Sequence, residues 1–354
     1  MNIFNGLFEI INVPLSYILG FFSDIFGNSF AAAVFVFTVF INAIFIPLSI
    51  KSQKASVNQM RVKPKLDELK KKYGDDKQRY SQEMQKLYQE ENISMSGGCL
   101  PLLIRMPIMF SIYYLVTKPI TYLMKAVPTD KIDAVWNNVF KPLNEQHGKK
   151  FEIVAENLKE LEIIKWIQGK GSSEVITPDE VVSKIQTEMG NAYDTLIEGI
   201  NSINFNLFGI DLTLTPRDYL SWNLVEIFQN WNPVLLIPVF AFAAQMITSF
   251  LSMQMQKKIN PDAPNMGFMM LSMPLISLFI GFSVPAGVGF YWICSSLIAG
   301  GIQLGLQYFY GPHKMLAAER AKEIVAVYNE EQKFITKRVS DNDAEKKAKK
   351  KSGK

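Results

Sequence analysis

Arg105 is the residue whose setting most strongly implies chemistry. The stretch from Gly97 to Leu115, GGCLPLLIRMPIMFSIYYL, has the apolar character of a membrane span, with Pro101 and Pro107 on either side of the arginine. A guanidinium in hydrocarbon is disfavoured by roughly 2.5–3.5 kcal/mol on insertion scales, so a chain that keeps one supplies water or a polar partner to receive it. The chemistry open to such a group is electrostatic, an attraction for acidic groups in a medium less screening than water. Catalytic alternatives lack their residues. Asp and Glu are absent from the long apolar runs, neither histidine lies inside one, and there is no HExxH. His147 and His313 stand alone and offer no zinc site. Cys99 and Cys294 have no CxxC spacing and read as small buried apolar residues. No cofactor is expected.

Other polar residues in apolar runs are candidates to line a site with Arg105. Thr38 and Asn42 sit one helical turn apart, hence on one face. Ser111 shares the run of Arg105, and Gln245 falls on one face with Ser249 and Ser252. Tyr291, Trp292 and Ser295 lie in the last run. Arg105 is eight residues from Gly97, and Asn42 is eight residues before Ile50. With those two spans antiparallel, both groups stand about 12 Å above the inner membrane edge. The bland alternative is that Thr38 bonds its own backbone and Asn42 joins two spans.

The elements that must position these residues follow from the apolar pattern. Runs at 30–50, 97–127, 233–256, 266–284 and 285–310 are each about long enough to cross a hydrocarbon core of about 30 Å. The spacing predicts an all-α polytopic membrane protein with five transmembrane helices. Residues 1–29 draw an apolar face broken by Asn12 and Pro14, which suits a helix lying in the outer interface. Segment 51–96 reads as a cytoplasmic helical hairpin turning at Gly74-Asp75-Asp76, with an aspartate as cap. Segment 128–232 reads as a mostly helical extracytoplasmic insert, 257–265 as a short cytoplasmic loop and 311–354 as a basic tail.

Charge sets the expected orientation. Residues 51–96 hold 11 Lys and Arg against 7 Asp and Glu, and residues 310–354 hold 12 against 7. Residues 127–232 hold 9 against 16. Basic segments stay cytoplasmic, which puts the N-terminus outside and the tail inside. The tail, ending in Lys346-Lys347-Ala348-Lys349-Lys350-Lys351, is expected to attract anionic lipid or RNA. No Lys or Arg precedes Lys51, so no cleavable secretory signal is evident, and a bacterial plasma membrane is the expected location.

Several motifs in order resemble the YidC family of membrane-protein insertases. They are Ile46-Pro47-Leu48, Gly74-Asp75-Asp76-Lys77-Gln78-Arg79 with Ser81-Gln82-Glu83-Met84, Gly97-Gly98-Cys99-Leu100-Pro101-Leu102-Leu103, Met106-Pro107-Ile108, and Pro285-Ala286-Gly287 leading to Tyr291-Trp292. The resemblance covers residues 14–127 and 233–315 and leaves the insert unmatched. It implies five helices around a hydrophilic groove open to the cytoplasm and sideways to lipid. A basic residue there attracts the polar part of a nascent membrane protein whose apolar segment slides out along the helices, without ATP. Implied partners are the ribosome, through the basic tail and cytoplasmic loops, and the Sec translocon. The family's groove arginine commonly stands in the first core span, where this chain has Asn42, and its glutamine on the next span is replaced here by Arg105. The charge is thus expected on the neighbouring helix at the same depth. The rival readings are a secondary transporter, which would call for inverted repeats and several ionisable span residues, and a ribosome-binding scaffold, which has no need of an intramembrane charge.

Overall fold

A computed structural model describes residues 3–91, 100–125, 127–147, 156–171, 173, 175–220, 229, 231–259, 267–311, 314, 317, 321–322 and 324–338. It is mostly helical, in keeping with the expected class. The chain divides into two compact units, residues 1–48 with 99–302, and residues 49–98 with 303–354.

In the first unit, helix α1 (Ile3–Ile25) packs on α2 (Phe30–Ile44) and α6 (Leu100–Thr117). Its packed face carries Asn12, Ser16, Leu19 and Ser23, all buried, while Ile10, Val13, Tyr17 and Phe21 face outward. That inverts the arrangement of a water-exposed helix and suits an apolar surround. Gly27 and Asn28 turn the chain at positive φ, and the Ser29 hydroxyl accepts the Ala32 N–H to cap α2.

Helix α2 ends at Ile44, and α3 (Ile46–Arg61) begins two residues on, bent by 48°. Pro47, lacking an N–H, suits the first turn of a new helix. Helix α3 runs on past Lys51, so the expected inner edge at Ile50 coincides with no helix end.

The last three apolar runs fold as α12 (Leu236–Ile259), α13 (Gly267–Ser283) and α14 (Ala286–Tyr310). Among the described residues, Pro233–Gln254 and Ala286–Phe309 are long and apolar enough to cross a membrane alone, and the bent pair, counted as one broken span, would make a third. Met106–Thr117 and Ser272–Ser283 are shorter apolar helices. Phe240, Ile247, Phe250, Ile276 and Phe279 face outward, as lipid-facing positions would. Helices pack where small residues permit. A Cβ on Gly287 would stand 2.9 Å from Val116 Cγ1 and 3.3 Å from Phe30 Cε1, so α14 meets α2 and α6 at that glycine.

One apolar core joins Val34, Phe37 and Ile41 of α2, Ile112, Leu115 and Val116 of α6, and Ala286, Val288 and Tyr291 of α14. A second lies in the insert, built from α7 (Thr129–Val135), α8 (Lys141–His147), α9 (Lys159–Ile167), α10 (Pro178–Met189) and α11 (Ala192–Ser202), around the fully buried Trp166. Helix α10 stops at Gly190, whose φ is +56°, before α11 begins at Ala192. A two-residue-turn hairpin of β1 (Asn206–Leu207) and β2 (Ile210–Asp211) was not legible in the pattern, because each strand is only two residues long.

In the second unit, α4 (Lys63–Tyr73) and α5 (Lys77–Glu90) form the hairpin arms, following a turn at the buried Val62 just before Pro64. Asp76 caps α5 by accepting the Arg79 N–H at 3.0 Å, as its position beside the turn predicts. Glu91 closes the arms, pairing with Arg61 at 3.0 Å and with Lys65, and the hydrogen bond from Lys65 holds its carboxyl below the usual carboxylate range. Residues 324–338 are helical.

Candidate functional site

The site begins on α2. Its buried face alternates large apolar residues with two polar ones, Thr38 wholly buried and Asn42 nearly so. The Thr38 hydroxyl donates to the Val34 carbonyl at 2.6 Å, and Asn42 Nδ2 donates to the Thr38 carbonyl at 2.9 Å. Both side chains thus bond back along their own helix. The self-bonding expected of Thr38 is present, and Asn42 also bonds its own helix. Asn42 lies two residues from the end of α2, so the bend at Phe45 follows directly on the polar pair.

Helix α6 contributes Ser111 to the same region, beside Ile112, which belongs to the apolar core shared with α2. The Ser111 hydroxyl is fully buried and has no hydrogen-bond partner among the described residues. Such a hydroxyl costs about 1–3 kcal/mol unless something polar reaches it. Arg105 lies within α6, two residues before Pro107, which interrupts the helix's own bonding pattern. The Arg105 side chain lies outside the described residues, as does Cys99.

Tyr291 of α14 is buried in the core with Phe37, Ile41 and Ile112, and Trp292 packs on its margin. Tyr291 is thus a member of the cluster and Trp292 packs against it, while Thr38, Asn42 and Ser111 directly follow or precede its members Phe37, Ile41 and Ile112 in sequence. Ser295 is half-buried on α14 and Gln245 half-buried on α12, where the Gln245 carbonyl accepts the Thr248 hydroxyl at 2.9 Å.

Two polar features did not enter the expected lining. Asn12, buried on α1, donates through Nδ2 to the Tyr122 hydroxyl at 3.3 Å, while its Oδ1 has no partner among the described residues. The signal was its interruption of the α1 apolar face. Glu160 of α9 is buried, and its carboxylate accepts the Thr121 N–H at 2.9 Å and the Thr121 hydroxyl at 2.6 Å. It caps a π-helical turn (Ile120–Met124) just beyond α6. Burial pushes its pKa up, opposed by the Thr121 bonds and by Lys118. Nothing in the sequence pairs positions 121 and 160. Among the described residues, no group of His, Cys, Asp and Glu is arranged to hold a metal ion.

Comparison with known proteins supports the motif reading. A family model described as 60Kd inner membrane protein matches residues 21–312. The Membrane protein insertase YidC of Agrobacterium fabrum is 26% identical over 294 residues, 83% of this chain and 35% of that protein. Proteins of the same name from Rhizobium meliloti, 39% identical over 108 residues, and Hahella chejuensis, 39% over 115, align with 30% and 32% of this chain. The chain spans well under half the length of these relatives, from 18% to 35%. Matched across most of its length by that family model, with buried polar side chains on the matched helices, the chain belongs to the 60Kd inner membrane protein family, the family of the YidC proteins.

Proposed function

We propose that this chain is a membrane protein insertase that passes nascent membrane proteins from the cytoplasm into the bilayer through a hydrophilic groove in its inner half. The observation that carries the proposal is a buried polar set inside membrane-type helices, Thr38, Asn42 and above all the unpartnered Ser111 hydroxyl, on the helix that holds Arg105. Thr38 and Asn42 bond their own helix, whereas the Ser111 hydroxyl has no partner among the described residues, a need that groove water meets. The relatives' name, membrane protein insertase, agrees with it.

In this reading the five apolar helices all cross, the N-terminus lies outside and the basic tail inside. Arg105 attracts the acidic extracytoplasmic stretch of a client, and groove water lowers the desolvation cost of carrying that stretch across. The apolar client segment leaves sideways into lipid, driven by its own burial, so no ATP is required. Ribosomes, through the tail and the α4–α5 hairpin, and the Sec translocon are the proposed upstream partners.

The test is insertion of charge-bearing clients into proteoliposomes. Arg105→Ala should reduce their insertion at least tenfold, and Arg105→Lys should retain most of it. Normal insertion of every client by the alanine variant would remove the groove charge from the mechanism.

A further inference from the structure

We infer that the β1–β2 hairpin of the insert is a membrane anchor that dips the Phe208 ring into the lipid headgroup layer on the side where α2 and α14 begin. Phe208 occupies the first position of the two-residue turn, with φ +50°, followed by Gly209 at φ +88°. That is the conformation of a primed hairpin turn, in which asparagine or glycine is the favoured first residue. An aromatic ring there is conformationally unfavourable, and here it is also 99% exposed, so packing within the described residues does not explain it.

The hairpin's mounting says what covers the ring. Asn204, just before β1, accepts the Phe30 N–H at 3.0 Å, and its own N–H donates to the Asn28 carbonyl at 2.9 Å. Beyond β2, the carbonyls of Leu212 and Leu214 accept the Gly287 and Ala286 N–H groups at 2.9 and 2.8 Å. Both flanks are therefore tied to the first residues of α2 and α14, which start beside each other in the first unit. Four residue steps of extended chain put the Phe208 backbone within about 13 Å of Asn204, the residue bonded to the start of α2. That is the level of the headgroups, where exposed aromatic rings are stable. The anchor rests on α2 and α14 being membrane spans and is independent of the groove and of Arg105.

The test is a nitroxide label on Phe208→Cys in a full-length chain also carrying Cys99→Ser and Cys294→Ala, reconstituted in phosphatidylethanolamine–phosphatidylglycerol vesicles. Because the ring touches almost nothing, the exchange leaves the packing intact. Collision with oxygen should exceed collision with a water-soluble nickel chelate severalfold, at a depth near the phosphates, and Phe208→Asn should show hydrogen exchange at 206–211 as slow as or slower than the parent in detergent and faster in vesicles. Free access of the chelate would overturn the anchor, and so would shielding from both reagents, which would indicate a protein partner at the hairpin tip.

Discussion

The buried hydroxyl of Ser111 and the Asn42 amide differ in what they need from their surroundings. Asn42 has already spent its Nδ2 on the Thr38 carbonyl, one turn back along α2. Ser111 has no such bond among the described residues, so its burial is the more informative. If groove water reaches it, Ser111→Ala should lower insertion of acidic clients while changing thermal stability by less than about 1 kcal/mol. A dry site predicts the reverse, unchanged insertion and higher stability. The exchanged positions of charge and amide make a second test. Arg105→Gln alone should lose insertion of charge-bearing clients, and adding Asn42→Arg should restore it, because what the groove requires is a cation at that depth rather than on a particular helix. Failure of the double variant to recover would show that the helix carrying the charge matters.

Between elements, identifiable contacts join the spans to one another and to the insert. Gly287 lets α14 approach Val116 of α6 and Phe30 of α2, so Gly287→Leu should cost about 1–3 kcal/mol by overpacking, read as a lower melting temperature in detergent. Glu160 ties the insert to the turn beyond α6 through Thr121. Burial raises its pKa above the unfolded value. Its contribution to stability is therefore fully present below the usual carboxylate pKa and is lost as pH rises through the raised folded value. Melting of the insert should accordingly shift upward between neutral and mildly acid pH, and Glu160→Gln should flatten that dependence. A variant that kept the full pH dependence would place its origin elsewhere.

The whole chain is polarised, with basic segments at 51–96 and 310–354 and an acidic stretch at 127–232. Deleting 339–354, which removes the terminal lysine cluster, should weaken co-sedimentation with ribosomes and make the remaining binding less salt-dependent, while leaving membrane integration intact. Unchanged binding would assign ribosome contact to the α4–α5 hairpin alone. Much of this organisation is legible in residue order. The apolar runs became α2, α6, α12, α13 and α14 because burying backbone polar groups in an apolar run demands helices. The Asp76 cap and the turn after Tyr73 follow from local chemistry. The break at Phe45 was written in Pro47, although an apolar count alone runs straight through it.

Residue order by itself determined the helical membrane class, the family and the odd placement of Arg105, because each depends on composition, periodicity or motif spacing within a few turns. Tertiary structure alone decided that Ser111 has no partner among the described residues, that Glu160 reaches Thr121, and that the hairpin of Phe208 is tied to two span ends. The last two depend on groups far apart in sequence, 39 residues from Thr121 to Glu160 and 176 from Asn28 to Asn204, and no local rule links positions across such distances. Burial and hydrogen-bond satisfaction are properties of the packed chain, so they become visible only once the helices meet.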